Sequence, residues 1–185
     1  MLRKPKITLI AALGPDGLIG RAGGLVFHIP ADMKYFRRMT LGKPVVMGRK
    51  TYESIPTKFR PLDGRQNIVL TKDRKWNAEG VTVINDIDQI LDAAGACNEI
   101  IIAGGAEIYA LTLAMADRLL ITDIRDVKMS SEMPFTQHFY LNGKFNKPDI
   151  NAFFPKIDYA LWTELSRCPV PDSNVTADWV VYERA

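Results

Sequence analysis

The chain has 185 residues, 47% of them hydrophobic and 24% charged, which excludes a disordered chain and fits one domain at ~100–200 residues per domain. Lys+Arg 24 against Asp+Glu 21 leaves a net charge of +3. That is too small an excess for a polyanion such as DNA, yet it leaves room for a local cation cluster around a small anion. The two cysteines, Cys97 and Cys168, form no CxxC, and with His28 and His138 as the only histidines the sequence offers no zinc or haem motif.

In chain order, the apolar run 7–13 is a predicted strand closed by the turn Gly14-Pro15-Asp16-Gly17. It lacks the cleavage pattern of a signal peptide, and no later stretch approaches the ~18–20 residues of a membrane span. A cytoplasmic protein is therefore expected. Pro30 suits the first position of a helix over 31–40. Strands are predicted over 44–47, 66–71, 81–84, 99–103 and 118–124, and helices over 49–54, 87–94 and 106–114. The early strands are unbroken Ile/Val/Leu runs, as in strands buried on both faces of a parallel sheet. Segments 159–167 and 178–183 alternate polar with apolar residues and flank the turn-rich 169–174, so they read as an antiparallel edge pair. Asn174-Val175-Thr176 matches a glycosylation sequon and reads as a surface turn. The polar and aromatic stretch 128–151, broken by Pro134, Gly143 and Pro148, reads as an irregular insertion. The fold class is α/β, one domain with a mostly parallel sheet flanked by helices.

Four features carry chemistry. Strand 99–103 runs into Gly104-Gly105-Ala106-Glu107-Ile108-Tyr109. There a glycine pair serves either to pack strand on helix or to let a phosphate approach the helix N-terminus. Gly48-Arg49-Lys50-Thr51 and Leu70-Thr71-Lys72 each follow a strand, at the carboxyl edge where parallel sheets bind ligands. Their cations are solvated loop charges or a shared phosphate site. Asp32 opens a helix whose apolar stripe is Met33, Phe36 and Met39. It is a first-turn capping charge, or a carboxylate facing an apolar cleft that needs a cationic or donating ligand. Arg65, in Asp63-Gly64-Arg65-Gln66, pairs with a nearby acid or offers its fork to a ligand carboxylate.

Together these residues resemble the bacterial type of dihydrofolate reductase. The resemblance runs through Ile10-Ala11-Ala12, Leu18-Ile19-Gly20, Ile29-Pro30-Ala31-Asp32-Met33, and Lys43-Pro44-Val45-Val46-Met47-Gly48-Arg49-Lys50-Thr51. It continues through Pro61-Leu62, Gly64-Arg65, Ala103-Gly104-Gly105, Ile108-Tyr109, Leu120-Ile121-Thr122 and Phe154-Pro155, and spares only 128–151. It implies a mixed eight-stranded sheet and NADPH-dependent reduction of 7,8-dihydrofolate by hydride transfer to pterin C6, with water protonating N5. Asp32, supported by Thr122, would bind the pterin. Substrate positions implied are Ile10, Ala11, Leu25, Phe27, Asp32, Met33, Phe36, Ile55, Leu62, Arg65 and Thr122, with Arg65 on the glutamate-tail carboxylate. Implied along the cofactor are Ala12, Ile19, Gly20, Gly48, Arg49, Lys50, Thr51, Leu70, Thr71, Lys72, Ala103, Gly104, Gly105, Ala106, Glu107, Ile108 and Tyr109. A monomer without metal, membrane or nucleic-acid partners is expected.

Four positions depart from the family pattern. Phe27 stands in the stretch where relatives carry a Trp and has no N–H to donate. Glu107 replaces a cation near the adenosine phosphate, with Lys72 as its compensation. Asn151 replaces an acid, and Ala103 a larger β-branched residue. Two alternatives are a related pyrimidine-riboside reductase of flavin biosynthesis and a non-catalytic NADP-binding module. Arg65 argues against the first and the Asp32–Thr122 pair against the second.

Overall fold

The computed structural model describes residues 4–21, 23–126, 151–171, 173 and 175–185. The insertion predicted over 128–151, apart from residue 151, lies outside the described residues. In chain order the elements are β1 (Lys6–Leu13), β2 (Leu18–Arg21), β3 (Gly24–Leu25), α1 (Pro30–Thr40), β4 (Pro44–Gly48), α2 (Arg49–Ser54), β5 (Gln66–Leu70) and β6 (Val81–Ile84). Then follow α3 (Ile90–Ala94), β7 (Glu99–Ile102), α4 (Ala106–Thr112), β8 (Arg118–Asp126), β9 (Asn151–Phe153), β10 (Trp162–Pro169) and β11 (Thr176–Arg184).

Eight strands form the central sheet in the order β10-β11-β8-β1-β7-β4-β5-β6. From β8 to β6 every neighbouring pair is parallel, while β11 runs antiparallel to β8 and β10 antiparallel to β11. The unbroken apolar runs are explained by burial on both faces. Ile7, Leu9, Val46, Ile68, Ile100 and Ile102 join Ile90 of α3 and Ile108 of α4 on one face. Ile10, Val45, Met47, Val69 and Ile101 meet Tyr35 of α1 and Tyr52 of α2 on the other. Successive residues alternate between the faces because the strand period is two. Each such side chain, fully buried, contributes ~1.5–3 kcal/mol. Among the described residues no helix is long and apolar enough to cross a membrane.

A second sheet, β3-β2-β9, was not expected from the sequence. Leu18 pairs with Phe153, and Gly20 with both Leu25 and Ala152. Its strands have two to four residues, too few to display a period. The strand predicted over 159–167 begins later, at Trp162, because Tyr159–Leu161 forms a 3-10 turn capped by Asp158. The helix predicted over 87–94 likewise starts as a 3-10 turn, Ile87–Gln89, under a capping box of Asp86 and Gln89. The helix predicted to reach residue 114 ends at Thr112, and Leu113–Met115 tightens into a 3-10 turn.

At the amino end of the parallel strands, Glu183 accepts from Lys6 Nζ and Arg118 Nη2, both at 2.7 Å. Nearby Glu99 pairs with Lys43 at 2.7 Å and accepts from Thr8 Oγ1 at 2.6 Å. The bonds from Lys6 and then Arg118 pull the Glu183 carboxyl from 4.5 down to about 2. A carboxylate whose value is depressed on folding stabilises the fold above its ordinary value and loses that contribution as pH falls through the folded one. Glu183→Gln is accordingly expected to flatten the loss of stability between pH 4.5 and about 2, read as urea midpoints across that range. Parallel curves for the two proteins would rule out this role.

Candidate active site

The carboxyl halves of β1 and β8 lie beside the start of α1, where Ala12 and Ile124 share a cluster with Ile29 and Ala31. Ile29 is extended and Pro30 takes the first helical position, which places Asp32 in the first turn and Tyr35 one turn on, along the same face. Thr122 of β8 donates its hydroxyl to Asp32 Oδ1 at 2.5 Å. The indole N–H of Trp179 in β11 donates to the same oxygen at 3.0 Å. Thr122 and Trp179 are register partners across β8 and β11, so two neighbouring strands aim two donors at one atom. Among the described residues no donor takes Oδ2 and no cation pairs with the carboxylate. Burial pushes the Asp32 carboxyl up, and the bonds from Thr122 and Trp179 pull it back in part. Met33, the next residue on α1, and Leu25 on β3 are about half exposed.

The seam between β4 and β7 holds the glycines. Gly48 N–H donates to Gly104 O at 2.7 Å and Ala103 N–H to Val46 O at 2.8 Å. Gly104 has φ +98 and its peptide to Gly105 is cis. A Cβ on Gly105 would stand 3.1 Å from Thr51 Oγ1, and one on Gly48 would stand 3.1 Å from Ile108 Cγ1. Gly48 and Gly105 are the N-cap residues of α2 and α4, so two helix starts converge there. Tyr109, expected along the cofactor, is buried beneath Gly104, and its hydroxyl donates to Ile10 O at 2.6 Å. It forms the floor of the seam, as does buried Ile108.

The predicted cations divide into two kinds. Arg49 is already paired, with Glu53 at 2.7 Å and Asp73 at 2.9 Å, and its guanidinium lies over Trp76. Lys50 and Lys72 make no ion pair among the described residues. Thr71 Oγ1 accepts from Asp73 N–H at 3.2 Å. At the far end of α1, Arg65 donates from Nε to Asp63 O at 3.0 Å and from Nη1 to Thr40 Oγ1 at 3.1 Å. Burial lowers its pKa, with Arg37 adding to that. The guanidinium is thus aimed by one carbonyl and one hydroxyl while keeping further N–H groups.

The dihydrofolate reductase family model matches residues 6–140. The chain belongs to the dihydrofolate reductase family. It is 44% identical over 135 residues to dihydrofolate reductase type 3 of Salmonella typhimurium, covering 73% of this chain and 81% of that one. It is 36% identical over 177 residues to the dihydrofolate reductase of Neisseria gonorrhoeae, covering 96% and 94%. Among solved structures, dihydrofolate reductase from Enterococcus faecalis complexed with NADP(H) and RAB-propyl superposes with a TM-score of 0.77 at 28% identity. That match covers 98% of this chain and 97% of the other.

Phe27 tucks against Gly14, where a Cβ would fall 2.4 Å from Phe27 Cζ, and packs on the cluster of Ile29, Ile124, Val170 and Ala177. Ala12, Thr122's register partner on β1, lies against the same group. Ile19 packs on the main core and Gly20 sits on β2. Asn151 stands opposite Arg21 in the β2–β9 pair. Glu107 occupies the first turn of α4. Ile10, Ala11 and Leu62 are buried, while Phe36, Ile55 and Ala103 are partly so. Leu70 ends β5, and Ala106 opens α4. Trp179 and Tyr35, whose rings stack at 4.7 Å and 15°, were missed by sequence reasoning. The only signal for Trp179 was the alternation of its strand, and that marks a face without naming a partner.

Proposed function

We propose that Asp32, held by Thr122, is the group that binds the pterin ring in the family's reaction, NADPH-dependent reduction of 7,8-dihydrofolate to 5,6,7,8-tetrahydrofolate. The chain is an oxidoreductase of this kind. The observation that carries Asp32's role is a half-buried carboxylate with one oxygen taken by protein donors and, among the described residues, no cation beside it. Such a group gains most from a ligand that brings donors or positive charge. The 2-amino group and N3–H of a pterin supply them, and the carboxylate then favours the protonated ring.

The seam fits an extended dinucleotide. A Cβ at Gly48, Gly104 or Gly105 would press on Ile108, Tyr109 or Thr51, so the glycines let the ends of β4 and β7 lie close against the two helix starts that converge there, with Lys50 in the first turn of α2 and Lys72 just after β5 adding positive charge. NADPH, when bound, supplies the hydride delivered to C6. Arg49 enters this assignment only as a group already neutralised by Glu53 and Asp73, so Lys50 and Lys72 carry the phosphate charge. No described side chain is assigned to protonate N5, and water fills that role. We read the enzyme as a cytoplasmic monomer that binds no nucleic acid; the small net charge of +3 supports the last point.

The test is NADPH oxidation followed with dihydrofolate and with no acceptor. Oxidation that depends on dihydrofolate is expected, and equal rates in both arms would overturn the reading. Arg65 extends the assignment to the glutamate tail. Arg65→Leu is expected to raise KM for dihydrofolate roughly ten- to a hundred-fold, the ~1.5–3 kcal/mol of a charge-assisted bond, with kcat far less changed. A pterin lacking the glutamate should not respond to the substitution. An equal loss with both substrates would make Arg65 structural.

A further inference from the structure

The resemblance assigns Trp179 no role, yet its indole is one of only two protein donors to Asp32 among the described residues. The donor is rigidly held. Trp179 lies in β11 between β8 and β10, paired to Thr122 on one side and Cys168 on the other, so its register is fixed from both edges. Its ring stacks on Tyr35, which α1 places one turn beyond Asp32. Strand and helix therefore fix the two ends of a single hydrogen bond.

A carboxylate held at one oxygen by a single hydroxyl still turns about its terminal torsion, which is broad. A second donor reaching that same oxygen from a neighbouring strand removes this freedom and fixes where the other oxygen points. A partly buried indole N–H also needs an acceptor, and here the acceptor is Asp32. We propose that Trp179 is a positioning residue for the reaction: with Thr122 it locks Asp32 Oδ1 and so presents Oδ2 to the amino end of the pterin. The inference rests on the reading of Asp32 as the pterin-binding group.

The charged and titratable surroundings are few. Tyr35 on α1 is pushed up by burial and feels Arg38, Cys168, Asp32 and Arg118, and Arg38 lies over its ring at 5.3 Å. On β11 itself, Asp178 is engaged with Arg125 and Arg167. The bonds from Thr122 and Trp179 are the interactions that favour Asp32's ionised form.

The chain has three tryptophans, so three indole N–H resonances appear in a proton–nitrogen correlation spectrum, with Trp179's assigned through Trp179→Phe. In the wild-type chain the Trp179 resonance is expected to move upfield on acidification as Asp32 protonates. In Asp32→Asn it should move while those of Trp76 and Trp162 stay in place. Trp179→Phe keeps the ring on Tyr35 and removes only the donor. It is expected to shift the acid limb of kcat/KM to higher pH by about half a unit to one unit, three- to ten-fold in the equilibrium. In the Asp32→Asn background the same substitution should cost little more. A Trp179 resonance indifferent to both Asp32→Asn and acid overturns the inference, even if Trp179→Phe fails to fold. So does a folded Trp179→Phe whose acid limb coincides with wild type. Full activity in Asp32→Asn would instead overturn the reading of Asp32, leaving the resonance result to report the bond by itself.

Discussion

Asp32→Asn is expected to separate activity from stability, lowering one and raising the other. Hydride transfer at neutral pH should fall by ~2–4 kcal/mol of transition-state stabilisation, the loss typical of one buried electrostatic contact. The fold should survive because Thr122 and Trp179 both donate to Oδ1. An amide oxygen accepts both bonds in place, with the NH2 turned outward. Burial raises the carboxyl above its ordinary value, so the folded chain holds that proton more tightly than the unfolded one. Stability is then full below the ordinary value and declines as pH rises through the folded one. Above the ordinary value the folded, ionised carboxylate carries that cost, and asparagine removes it. The melting temperature of the ligand-free protein should rise, by roughly 2–4 °C for each kcal/mol recovered. The rate deficit should shrink at low pH, where solution protonates the substrate instead. Stopped-flow hydride transfer and calorimetry across pH check both halves. Near-wild-type transfer at pH 7 removes Asp32 from the mechanism, and a lowered melting temperature contradicts the account of its burial.

Gly104→Ala should have the largest effect on folding. Its φ of +98 is one that residues with a Cβ adopt only at ~1–3 kcal/mol. The added carbon would stand 2.8 Å from Tyr109 Cε2, 2.9 Å from Cζ and 3.0 Å from the hydroxyl oxygen. That ring has no easy retreat, because its hydroxyl is bonded to Ile10 O at 2.6 Å and the ring also packs on Phe154, 4.6 Å between centroids. Overpacking of this kind adds ~1–3 kcal/mol, for a total of about 2–6 kcal/mol. Gly105→Ala should cost the fold less, since its Cβ would meet only Thr51 Oγ1 at 3.1 Å, the end of a side chain that can rotate. Urea denaturation of the two variants measures the difference. If Gly104→Ala proves as stable as Gly105→Ala, the Tyr109 contact is not what constrains this turn.

Much of the fold could be read because the relevant signals were local. The apolar runs of β1, β4, β5 and β7 and the Pro30 helix start announce themselves within a few residues. Pairing Asp32 with Thr122 across 90 residues of chain required the family pattern, since nothing near either residue names the other. Trp179, 147 residues from Asp32, had no such pattern to place it, and its role exists only through the β8–β11 register. The β2–β3–β9 sheet escaped for another reason: strands this short form through tertiary contact, such as Phe154 N–H donating to Gly17 O at 2.8 Å. Arg49's partner Glu53 lies four residues away along α2, a spacing the sequence does display.

The position of β1 in the sheet sets the order in which this protein can be completed during synthesis. β1 emerges first but pairs only with β7 and β8, and Ile7 N–H bonds to Asp117 across 110 residues of chain. Loop-closure entropy makes such distant pairings late and slow events. Until β7 and then β8 are made, the two edges of β1 lack their partner strands, and until β11 follows, Asp32 lacks its second donor. A nascent chain paused before β11 would therefore carry a central sheet with a half-built carboxylate site. The carboxylate site is therefore among the last parts of the molecule to be completed, after the parallel strands have found one another.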